Sequence, residues 1–236
     1  MNPLLKLLAS NRRKGSFRAE KSESDTIYLY DMIVDSDVEA EWWGGVSSQS
    51  FIKTLNSMDA PVIHLRVNSP GGSVFAARAM EQALREHKSQ IVAHVDGLAA
   101  SAASFLIMGA DEIEAAPGSF IMIHKAWTFA FGNSDDMLKT AGLLKQIDGS
   151  LVKTYADHTG QSAEDVEAWM TAETWFEADK AVELGFANRV AEKSKKAKAS
   201  AEWDLSAYRN APHIEANPQP DRDALARATA VRLLSA

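Results

Sequence analysis

The chain has 236 residues, 46% of them hydrophobic and 24% charged, with a net charge of −7 and no cysteine. That length allows one large domain or two small ones around a substantial core, and the composition is that of a globular protein. The missing cysteines exclude disulfides, thiolate metal sites and a Cys nucleophile, and the acidic balance argues against a general nucleic-acid binder.

The chain divides into three zones. Residues 1–24 read as a flexible basic arm: Lys6, Arg12, Arg13, Lys14, Arg18 and Lys21 stand against Glu20 alone over residues 1–21, a net of +5 that leaves −12 for the rest. The opening MNPLLKLLAS is too short in its apolar part for a secretory signal, and its basic cluster comes after the apolar part instead of before it. No run reaches the roughly 18–20 apolar residues of a membrane span. The expectation is a cytoplasmic protein with no membrane partner.

Residues 25–190 read as an α/β domain. TIYLYDMIV (26–34) is strand-like, and SSQSFIKTLNSM (47–58) has apolar residues at helical spacing. VIHLRV (62–67) and QIVAHV (90–95) are short, mostly apolar runs of the kind buried parallel strands show. Between them SVFAARAMEQALREH (73–87) predicts a helix capped by Ser73. This alternation implies a parallel sheet flanked by helices. A long helix is predicted over 134–158, with Ser134, Asp135 and Asp136 suited to its first turn. Its Met137, Leu138, Leu143, Leu144 and Ile147 form an apolar stripe, open to use as core or as subunit interface.

Residues 191–236 change character. KSKKAKASAE (193–202) is a charged low-complexity linker, Pro212, Pro218 and Pro220 punctuate the remainder, and only DRDALARATAVRLLS (221–235) suits a short helix. The zone reads as an appendage, partly disordered until it meets a partner.

Chemistry concentrates at predicted strand ends. NSPGGS (68–73) joins a strand to a helix through Gly71–Gly72, either a plain tight turn or a set of bare amides suited to an anion. DGLAAS (96–101) repeats that grammar, placing Ser101 at a helix start where the N-terminal field favours a developing oxyanion. Ser104, one turn on, is expected to be packed, and for Ser101 alone a capping role is the plainer reading. GSFIMIHKAW (118–127) reads as a strand ending in His124, which alone would more often be a structural hydrogen-bonder. Nucleophile, base and amide donors at the strand ends of one α/β layer form the minimum of an acyl-transfer site.

NSPGG (68–72), DGLAAS (96–101), MIH (122–124), HTGQS (158–162) and AVELG (181–185) occur in the order found in the Clp protease proteolytic subunit family, which the chain resembles over about residues 26–190. The resemblance implies a fold of β-β-α units, with the long helix projecting for oligomerisation. It implies Ser101 as nucleophile, His124 as general base, and the amides of Gly72 and Ala102 as oxyanion hole. Gly71, Gly72, Ser73 and Val74 would bind substrate backbone as an added strand. Where the family has an Asp as third member this chain has Glu173, with Asp136 and Asp179 as alternatives. ETWF before AVELG is similar to proteases of phage and prophage head-assembly modules, which implies processing of scaffold and capsid proteins by a homo-oligomeric ring in the host cytoplasm. The N-terminal region lacks the family's axial-loop sequence, so no ATPase partner is expected, and the site calls for no cofactor or metal.

Two other enzyme classes compete for these residues. The crotonases share this architecture but need no Ser–His pair, and a signal-peptide-peptidase-like Ser–Lys pair has only Lys125 to offer. A structural subunit with a decayed site is the non-enzymatic alternative, although decay usually removes the serine or the histidine. Activity is expected to fall as His124 protonates near roughly pH 6.5.

Overall fold

The computed structural model describes residues 2–22, 24–192 and 203–212. The chain opens with helix α1 (Pro3–Ser10) and strands β1 (Ser16–Glu20), β2 (Asp25–Tyr30) and β3 (Ile33–Val34), followed by α2 (Asp37–Trp43), β4 (Val46–Ser47) and α3 (Ser48–Leu55). Then come β5 (Val62–Ser69), α4 (Val74–Glu86), β6 (Gln90–Ala100), α5 (Ala102–Leu106), β7 (Glu112–Ala115) and β8 (Phe120–Ile123). The long helix α6 (Ser134–Thr159), α7 (Ala163–Ala172), β9 (Thr174–Glu177), α8 (Ala178–Glu183) and β10 (Arg189–Val190) complete the domain.

The main sheet runs β1-β2-β5-β6-β7-β10, with β8 and β9 continuing from the far end of β6. Among the described strands only β1, on β2, and β9, on β8, pair antiparallel, so the expected parallel α/β architecture holds. One sheet face carries Ile27, Leu29, Ile63, Leu65, Ile91 and Ala93, all fully buried beneath Phe51, Leu55, Met80 and Leu84 of α3 and α4. At about 25 cal/mol per Å² of apolar surface, such side chains supply the main driving force for folding. The strands alternate instead of being apolar on both faces. The other face is a polar ladder in which Arg66 Nε donates to Asp96 at 2.8 Å and the His64 and His94 rings meet at 2.8 Å. These histidines are structural, each side chain answering its neighbour on the next strand.

Three further features differ from the sequence reading. The run 26–34 is two strands, because Asp31 turns the chain: its carboxylate accepts from Met32 N at 2.8 Å while its carbonyl accepts from Ser69 Oγ at 2.6 Å. The bend sends Ile33 to Gly72, with Ile33 N–H donating to Gly71 O (2.9 Å) and Ser73 N–H to Ile33 O (2.8 Å). Next, 96–100 is no turn. β6 runs on to Ala100, slipping register against β5 between Val67 and Ser69 and acquiring β8 as a new neighbour. Finally, residues 1–24 carry α1 and β1 where a flexible arm was expected; Phe17 packs on the core and Leu7 is buried.

The predicted Ser73 cap holds, and Asp135 and Asp136 lie in the first turn of α6 as expected, behind an N-cap, Asn133, that the sequence reading did not name. Ser73 Oγ accepts from Ala76 N at the start of α4, and Asn133 with Asp136 forms a capping box on α6. Only Leu151 and Tyr155 of α6 are buried, so its first half, with Leu138 71% exposed, stands off the core. The linker 193–202 and the helix expected over 221–235 lie outside the described residues.

Candidate active site

Ser101 follows the last residue of β6 and precedes the first of α5, at φ 55° and ψ −122°. A non-glycine residue at positive φ is strained and persists only where its surroundings dictate it. Here Ser101 N–H donates to Met122 O of β8 (2.9 Å), while Ser101 O accepts from Ser104 N (2.9 Å) and Ser104 Oγ (2.7 Å). Ser104 is fully buried, packed as expected, and also bonds the Tyr155 hydroxyl at 2.7 Å.

The glycine turn lies directly against this elbow. A Cβ on Gly71 (φ +92°) would stand 2.5 Å from Ala100 O and 2.8 Å from Ser101 Cβ, and one on Gly72 (φ +145°) 1.9 Å from Ile33 O. Both positions need glycine for close approach as well as for backbone angle. Because Ile33 uses the Gly71 carbonyl and the Ser73 amide, Gly72's own N–H and C=O face the other way, with no partner among the described residues. The Ala102 amide, at the first position of α5, likewise has no acceptor there. Two free amides thus flank Ser101. Ser73 caps α4 and Val74 begins it, so of the four residues expected to bind substrate backbone Gly72 alone has both N–H and C=O without a partner among the described residues.

His124 leaves the end of β8 with Nε2 2.6 Å from Ser101 Oγ. The ring is only 7% exposed, edge-on to Trp127 (4.5 Å between centroids) and to Tyr208 (5.4 Å). Burial pushes its pKa down to about 3, well below the value expected from the sequence, because nothing anionic offsets the lost solvent. The imidazole is therefore neutral, and Nε2 accepts the serine proton.

Glu173 does not complete a triad. It ends α7 in the left-handed region (φ 53°), and its Oε1 accepts from Asn210 N at 2.7 Å. Among the described residues no carboxylate bonds His124: Asp136 caps α6, Asp179 sits in the first turn of α8, and Asp148 accepts from Ala126 N at 2.8 Å. Lys125 points to Glu167 (3.5 Å) at the surface and away from a Ser–Lys arrangement.

The residues missed from sequence lie in the tail. Trp203–Pro212 crosses the mouth of the site, with Tyr208 buried and its hydroxyl donating to Pro70 O. A WDLSAY run (203–208) in an otherwise alanine- and charge-rich tail was the one signal present: two aromatics and a leucine within six residues. Ser101, His124, Gly72, Tyr208 and the α6 residues Leu143 and Ile147 line a cleft of about 560 Å³.

A strained serine hydrogen-bonded to a neutral histidine between two free amides, at the strand ends of a mainly parallel sheet, is chemically equipped for acyl transfer. The Clp protease family model matches residues 27–194, and the chain belongs to that family. It is 33% identical over 132 residues to ATP-dependent Clp protease proteolytic subunit 2 of Corynebacterium diphtheriae, covering 55% of this chain and 66% of the relative. It is 29% identical over 165 residues to the proteolytic subunit of Bacteroides fragilis, covering 69% and 80%, and 31% identical over 137 residues to subunit 2 of Rhodococcus jostii, covering 57% and 70%. The aligned stretch spans 66% and 65% of the subunits 2 of C. diphtheriae and Corynebacterium efficiens, just under two thirds of their length. Among the described residues no helix is long and apolar enough to cross a membrane.

Proposed function

We propose that this protein is a serine endopeptidase, and the observation that carries the reading is the 2.6 Å contact between Ser101 Oγ and His124 Nε2 on a strained elbow. In the proposed cycle Ser101 Oγ attacks a peptide carbonyl as its proton passes to Nε2. The carbonyl oxygen, now negative, accepts from the amides of Gly72 and Ala102. His124 returns the proton to the leaving nitrogen as the C–N bond breaks, freeing an amine and leaving an acyl-Ser101 ester. Water, deprotonated by His124, then attacks the ester, releasing the carboxylate product and restoring Ser101. Glu173 is proposed as the positioning residue for His124, which requires its carboxylate to leave Asn210.

We read the working context as maturation of a phage or prophage head, with scaffold and capsid proteins as substrates and a homo-oligomeric ring in the host cytoplasm as the acting form. The ETWF–AVELG sequence favours this, as does a cleft walled on one side by Tyr208 of the chain's own tail, a restriction that suits a protease carried into an assembling shell.

The test is a fluorophosphonate probe with intact-mass readout. Ser101 Oγ displaces fluoride from phosphorus, adding one phosphonyl group. Wild type is expected to label at Ser101 and hydrolyse peptide, and Ser101→Ala to do neither, a loss of roughly 10⁴–10⁶-fold in rate. Absence of labelling in folded wild type and equally in a folded variant lacking the Tyr208 ring would sink the reading. Co-expression with the scaffold and capsid proteins of the same module tests the context: cleavage that requires Ser101 is expected, and their survival intact would overturn it.

A further inference from the structure

Residues 203–212 are held to the domain along their whole length. Trp203 Nε1 donates to Asn68 Oδ1 (3.3 Å). Asn11 grips Asp204 from both sides, its Nδ2 donating to Asp204 O (2.9 Å) and its Oδ1 accepting from Asp204 N (2.7 Å). Lys6 Nζ donates to Ser206 O (2.6 Å), so α1 and the residue after it clamp the segment from outside. Leu205 and Tyr208 are buried in a small cluster with Leu7, Leu98, Ala100 and Met122, separate from the main core.

Two contacts bear on the chemistry. The Tyr208 ring stands edge-on to His124 and packs on Trp127 (5.0 Å) and Trp175 (5.6 Å), its hydroxyl reaching Pro70 O beside the glycine turn. Two residues on, Asn210 takes the Glu173 carboxylate through its backbone N–H (2.7 Å) and anchors to Ala172 O through its side chain (2.7 Å). One ten-residue segment therefore fills the space against the Ser–His pair and binds the carboxylate proposed to orient the histidine. It does not lie as a substrate would. The chain turns at 205–208, Tyr208 N–H donating to Leu205 O, so a side chain and not a scissile bond faces Ser101.

From this we infer that Trp203–Pro212 is a built-in restraining strap: docked, it narrows the cleft at the Ser–His pair and keeps Glu173 from His124, and its withdrawal widens the cleft and releases Glu173 together. The inference rests on the endopeptidase reading. The strap is held at its edges by the polar side chains of Asn11, Lys6 and Asn68, is apolar at Leu205 and Tyr208, and its cluster is a satellite of the main core. It can leave without unfolding the sheet, because the strands keep their own ladders and the α3–α4 packing.

The test compares wild type, Ser101→Ala, Tyr208→Ala and Asn210→Ala in the full-length chain, measuring Ser101 labelling rate by the fluorophosphonate and peptide hydrolysis, with circular dichroism to check folding. Because reactivity scales with the open fraction, Tyr208→Ala is expected to label at least about tenfold faster than wild type, and Asn210→Ala to shift the same way by less. If wild type labels at Ser101 and both variants label no faster, the strap is overturned while the endopeptidase reading stands. If no folded protein labels, the endopeptidase reading falls, and the strap with it. Should Tyr208→Ala fail to fold, Asn210→Ala decides alone: it keeps the backbone N–H to Glu173 but removes the exposed side-chain bonds to Ala172 O and Glu173 O that anchor this end of the strap.

Discussion

Ser101, Gly71 and His124 each sit where local preference is overruled by neighbours. At Gly71 the positive φ and the 2.5 Å approach to Ala100 O act together, so Gly71→Ala should cost at least about 1 kcal/mol in chemical denaturation and abolish Ser101 labelling. His124 gives a pH signature. Its folded pKa lies below its unfolded value, so between roughly pH 6.5 and 3 the unfolded chain binds a proton that the folded chain refuses. Stability is therefore fully present above pH 6.5 and falls with acidification, by up to about 1.4 kcal/mol per pH unit from this group. His94 and His158, also lowered by burial, act in the same direction. Denaturant midpoints at pH 7 and 5 should show the loss, and His124→Asn should flatten it; an equal slope in the variant would show that His124 is not the group responsible.

At the scale of elements, the site depends on how β5 and β6 end. The register slip after Val67 and the exchange of β7 for β8 as neighbour carry Ala99–Ala100 past the rest of the sheet, which aims Ser101 at the residue following β8. The start of α4 matters for the same reason. Ser73 caps it, bonds Asp35, and lies next to the Gly72 amide. Ser73→Ala should cost about 1 kcal/mol by loss of the cap and also slow hydrolysis by moving that amide. A stability loss with unchanged turnover would separate the cap from the oxyanion hole. Helix α6 raises a different matter: its first half presents Leu138 and Leu143, 71% and 49% exposed, to no partner within the described residues. Under the proposed ring assembly, Leu138→Asp with Leu143→Asp should leave circular dichroism unchanged and lower the mass seen in sedimentation. An unchanged mass would remove this stripe from the interface.

For the whole molecule, two segments distant in sequence meet over the site. Helix α1 and the segment around Tyr208, about 200 residues apart, bury Leu7, Leu205 and Tyr208 together against β6 and β8. Under the proposed strap, access to Ser101 depends on these flanking segments, while the sheet beneath is supported by its own core. Heating should reveal this hierarchy as local release of 203–212 before global unfolding, read by earlier hydrogen exchange in that segment than in β5 and β6. Coincident exchange would make the flanking segments part of one cooperative unit.

The parallel α/β class, the α4 cap and the acidic first turn of α6 were legible in the residues, because periodicity and caps are local properties of the chain; the pairing of Ser101 with His124 was legible only through the resemblance carried by the order of the motifs. Glu173 was legible as a candidate only through the family resemblance, and its contact with Asn210 was not legible at all, since position in a motif does not report which donor a carboxylate finds. The split of 26–34 into two strands, the run of β6 through Gly97, the alternation of the sheet faces and the burial of His124 were decided by tertiary structure. Each depends on a partner distant in sequence: Ser69 for the bend at Asp31, β8 for the end of β6, the neighbouring strand for each rung of the polar ladder. Tyr208 shows the limit most plainly. An aromatic residue in a low-complexity tail carries no address, and only the pocket formed by Trp127, Trp175 and His124 gives it one.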